Sequence, residues 1–314
     1  MGQIDQNENV SERAGRFLWT SGRVLEQRRF AWHFLGEGGP EGATAALEAY
    51  RAEEGGYAYG LEPDVRGPAP QPATLRTGVP ILAETGALAG PIGHDLCDWL
   101  TKVTAADGGV PAALPSLRPY PRPPWVQIPE EPAGGLLPTG WITGPMLGAG
   151  LEHPWVQGAS AFCRTAVQNL GDETHPYEVH AAIAYLDGTP DRAWAKTQAA
   201  RLGELVRRQR LVLLDPDRPE TARIAPGYAP GEYHFPHDYA TRPESLARDW
   251  FTDDEMRTSL RALAAAQEAD GGWPIRWAEW SPTIRVEARP MVTVDALLTL
   301  RAYGTPTSWH PGLF

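Results

Sequence analysis

Apolar and polar positions near the C-terminal end of the chain follow two different helical patterns. In the first, long or apolar side chains recur at intervals of three and four residues, at Met256, Leu260, Leu263, Ala264 and Gln267. Charged side chains occupy the opposite side, so this segment predicts an amphipathic helix with one apolar stripe and one solvent-exposed face. In the second, residues 291–303, apolar residues surround the helix axis, which predicts a helix enclosed by protein.

The rest of the chain repeats this alternation of half-exposed and enclosed helices. Glycines follow many of the helical patterns, as expected where a left-handed residue ends a helix. Strand-like alternation is missing, so the pattern predicts an all-α protein. The other predicted helices cover residues 11–35, 40–53, 71–85, 91–106, 139–151, 155–170, 175–186 and about 190–211.

An acidic residue followed by two glycines occurs three times, with the first glycines at Gly55, Gly108 and Gly271. The gaps are 108 − 55 = 53 and 271 − 108 = 163, and the second gap is close to three times the first. A period of this length indicates stacked supersecondary units, about six in a chain of 314 residues. We therefore predict an (α/α)6-type toroid over residues 11–314, with apolar inner helices, amphipathic outer helices and a disordered segment at residues 1–10.

Composition narrows the classes of partner. The formal charge of −11 argues against nucleic acid and anionic membrane surfaces. Two cysteines, Cys97 and Cys163, are too few for a disulfide framework and favour a reducing cytoplasm. The first ten residues lack a signal-peptide pattern, and no apolar run is long enough to span a membrane. Composition thus leaves a small molecule as the expected class of partner, with the oligomeric state left open.

The motif Gln267-x3-Gly271-x-Trp273 resembles the QW repeat of the terpene cyclase and prenyltransferase superfamily, whose members are α/α toroids. In that motif the glutamine side chain caps a helix end and the tryptophan stacks on it. The segments that begin at Glu54 and Asp107 resemble degraded copies. The resemblance covers roughly half of the presumed units and implies the fold more strongly than the activity.

Long loops connect half-exposed helices to enclosed ones at 55–71, 107–138, 213–243 and 270–288. In a ring, these loops open at one end, where the N-termini of the inner helices also lie and favour developing negative charge. We expect an aromatic-lined cavity at this mouth, the usual setting for a small-molecule site.

The loop before the third predicted helix supplies the first candidate residues, Glu62, Asp64 and Arg66. Class II cyclases of the resembled family carry an Asp-x-Asp-Asp motif whose acid protonates an alkene, and Asp64 occupies a comparable position. Val65, Arg66 and Gly67 follow Asp64, so the motif itself is missing. The alternative is that Asp64 pairs with Arg66 or caps a turn.

Two further loops carry candidates. The first contains Glu232, His234, His237, Asp238 and Tyr239, a set suited to acid–base catalysis or, alternatively, to an ordered structural loop. This first loop offers too few ligands to complete a metal site. The second loop contains Trp277, Glu279, Trp280, Arg285 and Glu287; its rings suit cations or sugars, or they cover the mouth of the core.

Other features favour structure over chemistry. Thr252 and Glu255 form a capping-box pattern around Asp253 and Asp254, and the Asp-rich metal motif of class I cyclases has no match. His180 on an enclosed helix indicates a core histidine. We therefore expect neither a metal nor a cofactor.

These observations lead to a hypothesis of acid-initiated, metal-independent, terpene-cyclase-like chemistry on an isoprenoid or similar apolar substrate. The alternatives are a carbohydrate-active toroid (lyase, epimerase or hydrolase) and a non-catalytic ligand-binding toroid. Catalytic candidates are Asp64, Asp238, His237 and Glu287, with Asp64 or Asp238 as the proton donor. Substrate-binding candidates are Glu62, Arg66, Trp125, Trp141, Tyr177, His234, Tyr239, Trp277 and Trp280.

Overall fold

The computed structural model describes residues 9–305 and contains twelve α-helices in this range. The described residues form no strand, only one isolated bridge between Arg51 and Tyr57, which confirms the all-α prediction. No helix in this range is long and apolar enough to cross a membrane. The helices are α1 (Val10–Ser21), α2 (Val24–Phe30), α3 (Gly39–Glu48), α4 (Leu75–Glu84), α5 (Pro91–Val103), α6 (Leu136–Gly148), α7 (Pro154–Asn169), α8 (Pro176–Gly188), α9 (Arg192–Arg208), α10 (Pro236–Tyr239), α11 (Asp253–Ala265) and α12 (Pro282–Ala302).

The predicted helix at 11–35 is two helices. Gly22 takes an extended conformation (φ −73°, ψ 145°), and its N–H donates to the Leu18 carbonyl at 2.8 Å. A Cβ at this position would lie 2.6 Å from that carbonyl oxygen, which explains why glycine occupies the break. Of the segment 1–10, which the sequence predicted to be disordered, residues 1–8 lie outside the described residues. The other two residues belong to α1, which begins at Val10 and has Asn9 as its N-cap.

Even-numbered and odd-numbered helices occupy different positions. Even-numbered helices pack against one another, most extensively α6 with α8, followed by α4 with α6 and α12 with α2. Odd-numbered helices pack against even-numbered ones, for example α3 against α2 and α4, α7 against α6 and α8, and α11 against α10 and α12. At the end of the series, α12 contacts both α1 and α2, so the last helix of the described chain meets the first two.

Helices α6 and α8 approach at main-chain distance. A Cβ on Gly140 would lie 2.6 Å from the Ala181 carbonyl oxygen, and one on Gly144 would lie 2.1 Å from that of Ala184. Gly188 sits as closely against the Gly144 carbonyl. Only residues without side chains allow such an approach, which explains the uncharged, glycine-rich sequence of α6.

The three acid-Gly-Gly copies form the same turn. The first glycines, Gly55, Gly108 and Gly271, have φ of 107°, 88° and 94°, which L side chains rarely adopt. In each copy, the N–H of that glycine donates to the carbonyl three residues earlier, and the carbonyl of the second glycine accepts from the same earlier residue. The repeated sequence therefore encodes a repeated structure.

The second glycine of each turn packs against an aromatic ring of a following odd-numbered helix. A Cβ at Gly56 would lie 2.7 Å from Trp99 of α5, and one at Gly109 would lie 2.5 Å from Phe162 of α7. The third copy follows α11, and there a Cβ would lie 2.7 Å from Phe17 of α1. The last turn thus docks on the first helix in the same way as the earlier turns dock on their neighbours.

The residues of the QW-like motif strengthen this contact between chain ends. The Gln267 side-chain amide donates to the carbonyls of Val10 (2.8 Å) and Gly271 (2.9 Å). The Trp273 indole, only 2% exposed, donates to the Leu263 carbonyl at 2.7 Å near the end of α11. Its ring packs with α1 and α12 in one apolar cluster.

Gly271→Ala is expected to destabilise the fold by roughly 3 kcal/mol or more, because it combines left-handed strain with overpacking. The added Cβ would lie 2.1 Å from the Arg13 carbonyl oxygen. Gly150→Ala is a matched control, since its φ is 70° and nothing lies within 4 Å of an added Cβ. It is expected to lose only about 1–2 kcal/mol. Equal losses for the two variants in urea unfolding would contradict the docking role of this turn.

Candidate functional site

Arg76, in the first turn of α4, lies at the centre of the candidate site. Its guanidinium carbon is 4.3 Å from the centroid of the Trp141 ring on α6 and 5.5 Å from that of Tyr177 on α8. These two rings contact edge-on, with centroids 6.2 Å apart. Residues of three even-numbered helices thus meet around one cation.

The loop between α3 and α4 presents Glu62 and Asp64 beside this cation. The Arg23 guanidinium fixes the loop by donating to the carbonyls of Gly60 (2.9 Å) and Leu61 (3.1 Å). On its other side, the loop joins α12 through an ion pair of 2.7 Å between Arg66 and Glu287. Glu287 is therefore charge-compensated and serves to hold the loop.

The Asp64 carboxyl accepts a hydrogen bond of 2.7 Å from the Trp280 indole N–H. Burial raises the pKa of Asp64, although this hydrogen bond and the charges of Arg76 and Arg66 oppose the rise. Burial also raises the pKa of Glu62, which accepts a hydrogen bond of 3.1 Å from Thr77. The carboxyl groups of Asp64 and Glu62 therefore keep their protons to higher pH than usual. Asp64 also has one carboxyl oxygen without a hydrogen bond among the described residues.

Histidines and tyrosines form a second group, hereafter the His–Tyr cluster: Tyr177, His180, Tyr228, His234 and Tyr239. The Tyr228 hydroxyl lies 2.6 Å from His234 Nε2, and His234 Nδ1 lies 3.0 Å from His180 Nε2. His180 stacks on Tyr239 with ring centroids 4.3 Å apart. Burial lowers the pKa of His234 to about 4 and that of His180 well below its usual value, so both rings are neutral near pH 7.

Asp238 belongs to an ion pair with Arg276, with 2.5 Å between its Oδ1 and the guanidinium. Burial alone would raise the pKa of Asp238, but Arg276, His237 and His234 lower it far below the usual range. The Phe235 N–H adds a hydrogen bond of 2.7 Å to the carboxylate. Asp238 is thus a stable carboxylate, and of the two predicted proton donors the geometry favours Asp64.

His237 packs next to Asp238 with a 5% exposed side chain. Its Nδ1 lies 2.6 Å from Ser259 Oγ, whereas its Nε2 has no hydrogen-bond partner among the described residues and lies 3.5 Å from Asp238 Oδ1. Burial lowers the pKa of His237 to about 4. This histidine is a neutral, buried neighbour of the ion pair.

The other predicted residues divide between the site and the core. Tyr239 is buried and its hydroxyl donates to the Leu211 carbonyl, so it packs behind the His–Tyr cluster. Trp125 is 51% exposed, in the loop before α6. Trp277 is half-buried, and its indole nitrogen has no partner among the described residues.

A second charged group lies further along the even-numbered helices. Arg29 of α2, with a 7% exposed side chain, contacts Glu84 of α4 at 2.8 Å and Asp295 of α12 at 3.3 Å. The Asp295 side chain is 65% exposed, yet burial among surrounding protein atoms raises its pKa. These three side chains join α2, α4 and α12.

Sequence reasoning missed Arg76, Arg276 and the partner of His234. Arg76 follows an apolar position at a helix start, where a charged residue normally indicates a solvated end. His180 and His234 are separated by 54 positions, so no local pattern connects them. Among the described residues, no three His, Cys, Asp or Glu side chains converge on a possible metal position, and Cys97 and Cys163 are free and buried.

His237→Gln is expected to remove a pH-dependent part of the stability. At pH values between the usual pKa of 6.5 and the folded-state pKa of about 4, His237 is protonated in the unfolded chain and neutral in the folded chain. Stability is therefore present near neutral pH and lost as pH falls, by roughly 3 kcal/mol at pH 4. The stability advantage of wild type over His237→Gln should shrink by this amount between pH 7 and pH 4 in urea unfolding. A constant difference would contradict the assignment, and the exposed His94→Gln provides the control.

Comparison with known proteins relates the chain by structure alone. No model of a known protein family matches it, and no curated protein matches it in sequence. A crystal structure of a protein from Actinoplanes is similar, with a TM-score of 0.52, 15% sequence identity, 92% of this chain covered and 87% of that chain. A variant of the type II terpene cyclase MstE from Scytonema, bound to its substrate geranylgeranyl dihydroxybenzoate, has a TM-score of 0.50 and 11% identity, with 95% of this chain covered and 87% of that chain. At these identities the likeness concerns the fold: the chain is an all-α protein similar to the α/α fold of terpene cyclases.

Proposed function

We propose that this protein is an α/α toroid enzyme that protonates an isoprenoid or similar apolar substrate, with Asp64 as the acid. The observation that carries the proposal is the Asp64 carboxyl, which has a raised pKa and a hydrogen bond from Trp280. The similar fold of MstE, which binds an isoprenoid substrate, supports the choice of substrate class.

In the proposed toroid, the twelve helices form six hairpins, with even-numbered helices inside and odd-numbered helices outside. The contacts of α12 with α1 and α2 support closure of the ring. The close packing of the third acid-Gly-Gly turn on Phe17 supports it independently. The substrate would enter where the loops before α4, α6 and α12 meet.

The proposed reaction starts with a proton transfer from Asp64 to a terminal alkene carbon. The O–H bond of the carboxyl breaks, a C–H bond forms, and the adjacent carbon becomes cationic. The Trp280 N–H stabilises the new carboxylate, together with the positive charges of Arg66 and Arg76. Aromatic rings of the loop before α12, Trp277 and Trp280, would stabilise the carbocation, and the proposed step uses no metal.

The final step of such a reaction returns a proton from the carbocation to a base. His234 is neutral near pH 7 because burial lowers its pKa to about 4. The hydrogen bond between His234 and His180 offers a path along which the proton leaves the ring. Because both ring nitrogens of His234 are in hydrogen bonds, the proton would reach it through Tyr228: the Tyr228 hydroxyl oxygen takes the substrate proton and passes its own proton to His234 Nε2.

Asp64→Asn is expected to lower the turnover of a prenyl substrate by about 100-fold or more, as for loss of a general acid. In wild type, kcat/KM should fall as pH rises through the raised pKa of Asp64, because the acid loses its proton. Products from geranylgeranyl and farnesyl compounds are measured by mass spectrometry. Asp172→Asn, an exposed carboxylate on the outer surface, is the control. Full turnover by Asp64→Asn would remove the mechanism.

Trp280→Phe tests the role of the indole N–H. The hydrogen bond lowers the pKa of Asp64, so its loss should move the descending limb of the pH–rate profile to higher pH. It should also slow proton transfer by about 10-fold, since one bond to the new carboxylate is missing. A change in KM alone, with an unmoved pH profile, would show that Trp280 only covers the mouth.

A second candidate function, carbohydrate processing, is favoured by the polar side of the site. Glu232 is 6% exposed, and burial raises its pKa although a hydrogen bond of 2.9 Å from the Ala229 N–H opposes the rise. An acid, a tyrosine and neutral histidines within one site also suit a lyase or epimerase. Oligosaccharide turnover that is lost in His234→Gln and retained in Asp64→Asn would select this function.

A further inference from the structure

Prolines lie inside three of the described helices, beyond the first turn, where proline is rare. They are Pro80 in α4, Pro145 in α6 and Pro290 in α12. Proline has no N–H, so each of them removes the hydrogen bond that a helix normally forms to the carbonyl four residues earlier. Its ring also clashes with that carbonyl and bends the helix there. In α4 and α6, the carbonyls that lose this bond are those of Arg76 and Trp141.

The Arg76 and Trp141 carbonyls have no donor from outside their own helices. Among residues 9–305, no side chain and no N–H of another segment donates a hydrogen bond to either of them. A carbonyl inside a protein is rarely left without a partner, because its lost hydration would go uncompensated. Where the protein supplies no donor, ordered water normally does.

Both carbonyls lie on the accessible faces of their helices. Two lines of partly or fully accessible residues, spaced by four and then three positions, run along these helices: Arg76, Pro80 and Ala83 on α4, and Trp141, Pro145 and Gly148 on α6. Residues at this spacing share one face of a helix. A helical carbonyl points toward the residue four positions later, so these two carbonyls lie beside the proline rings. Because the Arg76 guanidinium lies 4.3 Å from the Trp141 ring, both faces start at the candidate site.

The start of α4 also brings further polar groups to this place. The charge of Arg76 acts on the carboxyl groups of Asp64 and Glu62. Thr77, the next residue of α4, donates to Glu62 at 3.1 Å. A buried water needs about two to four polar partners. The Arg76 carbonyl, with these carboxyl and hydroxyl groups nearby, meets that requirement.

We propose that the Arg76 and Trp141 carbonyls hold water beside Asp64 and that this water captures the carbocation, which makes the reaction a hydration of the alkene. The inference rests on the proposed function for the carbocation itself. An apolar substrate offers no donor that could replace this water, so the water stays when the substrate binds. Pro80 and Pro145 are thus positioning residues, since they act through the carbonyls that they leave unpaired.

The proposed step is balanced by Asp64. Proton transfer to the alkene leaves a carboxylate and a carbocation. A water that donates to a carbonyl turns its lone pairs away from the helix, and its oxygen forms a C–O bond to the cationic carbon. The resulting oxonium ion gives a proton to the Asp64 carboxylate. One water is thereby added across the double bond and the acid is restored, whereas proton loss to Tyr228 competes and gives an alkene.

The test measures the oxygen that the products take from water. The substrates are geranylgeranyl and farnesyl methyl ethers, which carry no hydroxyl group, in water that contains a heavy oxygen isotope. Mass spectrometry gives the ratio of labelled alcohol to alkene, and the alcohol should be the main product of wild type. Pro80→Ala and Pro145→Ala restore the missing N–H, which then occupies the carbonyl. Each should lower this ratio by about 5-fold, as for loss of one hydrogen bond.

Pro290→Ala is the matched control. It restores the same kind of bond in α12, to the Val286 carbonyl, and should leave the product ratio equal to that of wild type. Urea unfolding checks that all three variants fold. Crystal structures provide a direct readout: wild type should show a water within hydrogen-bond distance of each carbonyl, and Pro80→Ala and Pro145→Ala should show a backbone N–H in its place.

Each outcome decides one of the proposals. Wild-type alkene products without labelled oxygen overturn the capture by water and leave the proposed function standing. An unchanged ratio in the combined Pro80→Ala and Pro145→Ala variant, or an equal fall in Pro290→Ala, overturns the role of these carbonyls. Carbonyls without water in the wild-type crystal structure overturn the water site. If wild type turns over no prenyl substrate, the proposed function and the capture step both fall, and the crystal structure still decides the water site.

Discussion

Contact between glycine turns and aromatic rings is the constraint on which the rest of the structure depends. Each acid-Gly-Gly turn brings its second glycine against a ring of another odd-numbered helix: Trp99 of α5, Phe162 of α7 or Phe17 of α1. Such a contact requires a missing Cβ and a left-handed first glycine, so it tolerates little variation. Because the third turn meets α1, the same local contact also brings the segment after α11 against the first helix. Three of the loops that carry candidate residues, those before α4, α6 and α12, begin at these turns.

Among the acidic residues of the site, some are paired with an arginine and others are not, and this difference separates carboxylates held in ion pairs from unpaired carboxyl groups. Asp238 and Glu287 are each compensated by an arginine, and their positions are thereby fixed. Asp64 has only a hydrogen bond from an uncharged donor, and its pKa moves in the direction that a proton donor needs. The pKa values of Asp64 and Asp238 are thus shifted in opposite directions, because only Asp238 forms an ion pair with a guanidinium.

The sequence predicted the helices well and the site only in part. The uncharged pattern of α6 and the glycine turns are local properties, so they could be recognised along the chain. The break at Gly22 was missed because glycine there allows an extended residue and a close carbonyl contact, which leave no periodic signal. Arg76 and His180 were missed because their roles depend on partners from other helices. The choice between Asp64 and Asp238 likewise required the position of Arg276, which lies in a separate loop.

The main-chain contact between α6 and α8 also limits how the site can change. Gly140 adjoins Trp141, and Ala181 lies one helical turn after Tyr177, so backbone atoms rather than adjustable side chains set the spacing of these two rings. Because α6 and α8 are in main-chain contact, shorter side chains between them could not change the spacing of the Trp141 and Tyr177 rings. Changes in the size of the candidate site would therefore come from the loops that carry Asp64 and Trp280, since loops tolerate insertions.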